Sequence, residues 1–158
     1  MKGSRRLLTL ALSLNLALAI QPSAALASTE GPCHEERWQR ITRQEWTPQL
    51  VKGLIRCAVR RWDVPGGAAF AIEVFTCESH LWPWANGNDN LGVAQHRDLY
   101  WNERVKAKLK ERWFSPPQWE RINQEATIHP RAAFVARANV LIAIKMAHSG
   151  GWGPWSCA

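Results

Sequence analysis

The chain has 158 residues, 46% of them hydrophobic, and 20 Lys and Arg against 13 Asp and Glu give a formal net charge of +7. That length buries one core and not two, and the apolar fraction excludes a disordered or collagen-like chain. After the first residues no stretch is long and apolar enough to cross a bilayer.

The start of the chain reads as a targeting segment. Lys2, Arg5 and Arg6 precede a mostly apolar run from Leu7 to Ile20, and Ala25-Leu26-Ala27 has the small-x-small pattern of a signal-peptide cleavage site. The run is short for a membrane anchor. We expect residues 1–27 to be removed, with Ala25 as the alternative last residue. They carry three of the basic residues and no acidic one, so residues 28–158 keep a net charge of +4. A modest positive charge favours association with an anionic surface such as a bacterial wall polymer or a phospholipid. The expectation is an exported, soluble protein, secreted and associated with the cell wall, with no stable membrane insertion after cleavage.

All four cysteines, Cys33, Cys57, Cys77 and Cys157, lie in the exported part. An even number in an oxidising compartment reads as two disulfides, and three pairings are open. His34 and His80 lie near cysteines, but the spacings match no zinc pattern, so neither a metal nor a cofactor is expected.

Residues 28–46 are polar and lack periodicity, an N-terminal arm held, if at all, by Cys33. The domain proper is read as 47–158. Thr47-Pro48 is a helix start, threonine as cap and proline at the first helical position. Leu50, Val51, Leu54, Ile55 and Val59 then recur at helical spacing up to Trp62. Asp63-Val64-Pro65-Gly66-Gly67 breaks that helix. Ala68 to Thr76 is a small-residue and aromatic run, a second helix packed into a core, and it leads into Cys77-Glu78-Ser79. From His80 to Gln95 the chain reads as loop, with one short element near Gly92-Val93-Ala94-Gln95. A third helix is expected over Leu99–Arg112, with Lys106, Lys108, Lys110 and Arg112 as a solvated face and not a nucleic-acid surface. Ser115-Pro116-Pro117 opens a short fourth helix through Ile122. Pro130, preceded by His129 as cap, opens a last helix to about His148, apolar nearly all round and so central. The expected fold class is a mostly α single domain with two disulfides.

Glu78 is the residue with chemistry attached. A glutamate where a core helix meets a loop sits half in apolar surroundings and half facing a cleft, the setting of a proton donor near neutral pH. Protonating the leaving oxygen of a glycosidic bond needs such a group. Glu73 lies five residues earlier, about 140° round the helix, and points elsewhere. Gln95 is read either as a cleft residue bonding substrate amides or as a loop brace. Of the ten tryptophans, Trp62 and Trp113 end helices in apolar company. Trp82, Trp84, Trp101 and Trp152 flank the loops around the acid and have flat faces to offer to sugar rings.

In order along the chain, Cys77-Glu78-Ser79, Gly92-Val93-Ala94-Gln95, Asn139 and the ending Gly151-Trp152-Gly153-Pro154-Trp155-Ser156-Cys157 resemble lysozyme-like transglycosylase domains. The nearest likeness is to secreted actinobacterial ones, including the catalytic domain of resuscitation-promoting factors. The resemblance covers about residues 64–157. It implies a lysozyme-like fold, a peptidoglycan glycan strand as partner and substrate, Glu78 as catalytic acid, and pairing of Cys77 with Cys157, hence Cys33 with Cys57. Ser79, Trp82, Asn90, Gln95, Trp101 and Trp152 are the substrate-binding candidates, and the enzyme is expected to act as a monomer. His80-Leu81-Trp82-Pro83 departs from the Ser-Gly-x-Asn-Pro usual in that family, as does His96 after Gln95.

Hydrolysis uses two carboxylates, and the second here is Asp89 or, failing that, Asp98. Asp89 lies in a Gly/Asn loop where an aspartate more often serves a turn. A lytic transglycosylase needs Glu78 alone, and the resemblance favours it, giving a 1,6-anhydro muramoyl product. The alternatives are a hydrolytic muramidase, a catalytically inactive wall-binding module that keeps the cleft, and a disulfide-stapled antimicrobial protein acting on membranes.

Overall fold

The computed structural model describes Cys33, His34, Trp38, residues 45–123 and residues 134–158. Residues 1–27, expected to be a targeting segment, most of the arm, His129 and Pro130 lie outside them. The described part is mostly helical, with one small antiparallel sheet. No described helix is long and apolar enough to cross a membrane.

Helix α1 is Pro48–Arg61. Thr47 caps it through Oγ1, which accepts the Leu50 amide at 3.3 Å, and Pro48 occupies the first turn. Val51, Leu54, Ile55 and Ala58 form its fully buried stripe. Helix α2, Gly67–Ser79, buries Ala71, Val74, Phe75 and Ser79 at the same helical spacing. Helix α5, Ala136–Gly150, packs against α1. Every residue from Ala136 to Ile144 is buried, which makes α5 the central helix the apolar run implies. It starts later than Pro130, because Val135 is extended (φ −72°, ψ 98°).

The region expected to be one helix over Leu99–Arg112 is three pieces. Asp98–Tyr100 is a 3₁₀ turn, Trp101–Lys108 is α3, and Glu111–Trp113 is a second 3₁₀ turn. Leu109 interrupts them in an extended conformation (φ −107°, ψ 156°). Tertiary contacts gather at the break. The Lys145 ammonium on α5 donates to the Lys108 carbonyl at 3.2 Å, and Leu109 and Trp113 both turn into the core. Lys145 also lies over the rings of Trp62 and Trp113, at 5.4 and 5.1 Å. Burial, with Lys108 and Lys110 nearby, pushes its pKa down. Helix α4, Pro116–Asn123, begins at the expected Ser115-Pro116-Pro117, with the Ser115 carbonyl accepting the Trp119 amide.

Three described residues of the arm, Cys33, Trp38 and Trp46, are part of the core. Trp38 is 2% exposed and stacks on Trp46 with centroids 6.3 Å apart. Gly53 on α1 makes room for it, since a Cβ there would lie 3.1 Å from the Trp38 ring. Two buried side chains fasten the arm's backbone: Arg137 Nε donates to the Cys33 carbonyl at 2.9 Å, and Gln118 Nε2 to the Trp38 carbonyl at 3.1 Å. Their polarity pattern hid this, because their burial comes from distant partners. Both disulfides implied by the resemblance are present, Cys33–Cys57 and Cys77–Cys157. The second closes a loop of 80 residues.

Between α2 and α3 the chain forms strands β1 (Asn86–Gly87), β2 (Asn90–Leu91) and β3 (His96–Arg97), in that order and antiparallel. Two-residue strands are too short to show alternation, so the sequence reads as loop. Asn88 and Asp89 link β1 to β2, both with positive φ (50° and 64°). A two-residue hairpin of type I′ requires positive φ at both positions, and Asn and Asp tolerate it.

Candidate active site

Glu78 lies one residue before the end of α2, seven residues after buried Ala71, so it leaves the helix close to the buried face. It is half-buried, whereas Glu73 is exposed. No glycine ends the helix. His80 and Leu81 do so, both in the left-handed region (φ 53° and 62°), and the His80 amide donates to the Thr76 carbonyl at 2.8 Å.

The C-terminal tail comes back to the acid. Ser156 Oγ and the Cys157 amide both donate to Glu78 Oε1, each at 3.2 Å. The Cys77–Cys157 disulfide fastens the tail at the residue before Glu78 on one side and at the donating residue itself on the other. Oε2 takes no hydrogen bond among the described residues. The carboxyl is therefore oriented through one oxygen, and the other is left without a hydrogen bond among the described residues.

Trp152 and Trp155 anchor the tail that reaches Glu78. Trp152 packs edge-on to Phe70 and Phe75 and donates Nε1–H to the Pro65 carbonyl at 2.8 Å. Trp155 packs on Trp152 and donates Nε1–H to the Ala94 carbonyl at 2.9 Å, which joins the tail to the segment between β2 and β3. That segment has two more anchors. Ser79 Oγ lies 2.6 Å from the Val93 carbonyl and 3.1 Å from that of Phe75. Asn139, fully buried on α5, accepts the Ala94 amide through Oδ1 at 2.8 Å and donates Nδ2–H to the Leu91 carbonyl at 2.9 Å.

His96 completes the arrangement. Arg104 on α3 donates from a terminal guanidinium nitrogen to His96 Nδ1 at 2.9 Å. That makes Nδ1 the acceptor, so Nε2 carries the hydrogen and donates to the Asn139 carbonyl at 3.0 Å. Burial, reinforced by the Arg104 charge and opposed by the Asn139 bond, lowers the His96 pKa to about 3. His96 is a neutral bridge at physiological pH.

The substrate-binding candidates separate on burial. Trp101 is 5% exposed with its ring against His96, Trp152 is 7% exposed, and Ser79 is buried. All three are engaged in packing or internal hydrogen bonds here. Trp82 is 39% exposed, the exposed tryptophan among the described residues, and it pairs with half-buried Trp84, ring centroids 4.8 Å apart. Gln95 spends its Nε2 on the Ala85 and Gly92 carbonyls at 3.3 and 2.9 Å. With Asn90 it also lines a cavity of about 190 Å³ next to Trp155. Asp89 is exposed at the hairpin turn, its carbonyl accepting the Asp98 amide at 2.9 Å. Asp98 Oδ1 accepts the Leu99 amide at 2.5 Å, opening the 3₁₀ turn.

Sequence reasoning passed over Ser156, the Cys157 amide and Arg104. The first two were visible only as part of the closing motif, and Arg104 looks like one of several cations on a polar helix. No family model, no curated protein and no solved structure matches the chain.

Proposed function

We propose that this protein is a secreted enzyme that cleaves peptidoglycan, a lytic transglycosylase cutting the MurNAc–GlcNAc β-1,4 bond with Glu78 as its one catalytic carboxyl, on a lysozyme-like fold. The observation that carries the reading is the clamp on Glu78: one oxygen held by two donors of the disulfide-tied tail, the other without a hydrogen bond among the described residues. Preorganised donors of this kind cost no reorganisation as charge develops. The ordered motifs around Glu78 support the same reading.

In the proposed reaction Glu78 gives a proton from Oε2 to the glycosidic oxygen, and the bond to C1 breaks. The carbonyl oxygen of the substrate's own 2-acetamido group closes on C1 and takes up the positive charge. Ser156 and the Cys157 amide steady the carboxylate that Glu78 has become. Glu78 then takes the proton of the muramoyl 6-hydroxyl, whose oxygen attacks C1 and reopens the acetamido ring. The ends are a 1,6-anhydro muramoyl unit and a free GlcNAc 4-hydroxyl, and no water is consumed. Asp89 and Asp98, engaged in turns, suit this one-carboxylate route better than a hydrolysis. Trp82 and Trp84 offer the sugar-stacking face.

The test is mass spectrometry of muropeptides released from purified peptidoglycan by the mature protein and by Glu78→Gln. The amide keeps an oxygen for the clamp but has no acidic proton, and loss of a general acid costs about 10²–10⁴-fold in rate. Anhydro ends that disappear in the variant are the expected result. Reducing ends would make the enzyme a muramidase, and no release by folded protein would leave a wall-binding module.

A further inference from the structure

Two cavities meet beside the site. The smaller, about 190 Å³, is lined by Asn90, Gln95, Arg97, Tyr100, Arg104 and Trp155 among others, and no carboxylate lines it. The larger, about 400 Å³, runs along α3 to the start of the tail and shares Arg104, Met146 and Pro154 with it. The two adjoin, and the larger carries one carboxylate, Glu103, beside the Arg104 and Lys108 cations.

The chemistry of the smaller cavity is one-sided. Arg97 and Arg104 form no ion pair among the described residues. Arg104 is half-buried, and burial pushes its pKa down from the usual guanidinium value. It spends one N–H on His96 and lies 5.4 Å over the Tyr100 ring, which leaves the rest of its fork unspent. A partly desolvated cation with unused donors is costly to keep unless something charged completes it. Because His96 is neutral and anchored to α5, the guanidinium is positioned before any ligand arrives.

We propose that this cavity is a carboxylate-binding subsite, and that its ligand is the free carboxylate of a peptide chain borne by the glycan strand. The identity of the strand rests on the function proposed above. A planar carboxylate matches the guanidinium fork. Asn90 and Tyr100 add hydrogen-bonding groups, and the adjoining groove, with Met146 and Pro154 on its wall, receives the rest of a short peptide. The subsite gives the enzyme a preference for strands that still carry acidic peptides over bare glycan.

Two experiments test it on the folded mature protein. Side-chain NMR of ¹⁵N-labelled arginine is followed as the acidic dipeptide Ala-Glu, its diamide, or inorganic phosphate is added. Saturable shifts at Arg104 Nε with the dipeptide, weaker by about tenfold in affinity in Arg97→Gln, are expected for the loss of one charge-assisted contact. Equal response to the diamide, equal response to phosphate, or no response would overturn the proposal. Arg97 is exposed on β3 and carries the test, because removing Arg104 would also unpair His96. In the second experiment, cleavage of peptide-bearing strands is compared with cleavage of strands stripped of peptide. The ratio should fall about tenfold in Arg97→Gln, and an unchanged ratio would overturn the proposal. Dipeptide binding without any strand cleavage would sink the transglycosylase and keep the subsite, and anhydro products without carboxylate binding would do the reverse.

Discussion

Asn139 makes the sharpest test of how this site is held. Its amide satisfies the Ala94 N–H and the Leu91 carbonyl at 2.8 and 2.9 Å, and both residues are out of reach of water, 0% and 2% exposed. Asn139→Leu keeps the volume and removes both bonds. Each orphaned buried group costs about 1–3 kcal/mol, so a loss of about 3–4 kcal/mol is expected. In a domain of this size about 1 kcal/mol corresponds to about 4 °C, so Tm should fall by about 12–16 °C in a thermal scan followed by far-UV CD. Asn139→Asp should be no milder, since it sets an oxygen against the Leu91 carbonyl. The damage should also reach the site, because Ala94 is where Trp155 fastens the tail that holds Glu78. A fall under about 3 °C in Asn139→Leu would refute the clamp as a determinant of stability.

Two further outcomes are expected. Gly66 and Gly67 both have positive φ, 77° and 65°, but a Cβ on Gly66 would lie 2.6 Å from Phe70 Cβ while one on Gly67 meets nothing within 4 Å. Gly67→Ala should therefore cost only the left-handed strain, about 1–2 kcal/mol, and Gly66→Ala at least about 1 kcal/mol more, read as the difference between their urea midpoints. For His96, the folded pKa of about 3 lies below the ordinary 6.5, so between those values the unfolded state binds the extra proton. Stability should rise with pH across that window by about 1.4 kcal/mol per unit and be level above it. His96→Phe should lose about 3 kcal/mol less than the parent protein between pH 7.0 and 4.5 in urea titrations, and identical pH slopes would contradict the assignment.

The local signals of the chain were legible because each acts over a few residues. Thr47-Pro48, the apolar stripes of α1 and α2 and the fully apolar stretch of α5 set their helices through capping and 3.6-residue periodicity. The sheet was not legible, since two-residue strands carry no alternation and rest on positive φ at Asn88 and Asp89. Nor was the break after Lys108, whose carbonyl is taken up by Lys145 from 37 residues away. Trp101 and Trp152 look like sugar platforms beside Trp82 by position alone, and only burial tells them apart.

By itself, then, the sequence determined helices α1, α2 and α4 and the apolar body of α5, the two-disulfide content and the identity of the one carboxyl at the end of a core helix. Tertiary structure alone decided what that carboxyl touches, which tryptophans are buried, that Cys33, Trp38 and Trp46 join the core, and that Arg104 meets His96. Periodicity and capping are encoded within a turn or two of chain. The Glu78 clamp spans 79 residues and the Asn139 bonds 45 and 48, and contacts over such separations exist only once the whole chain has packed.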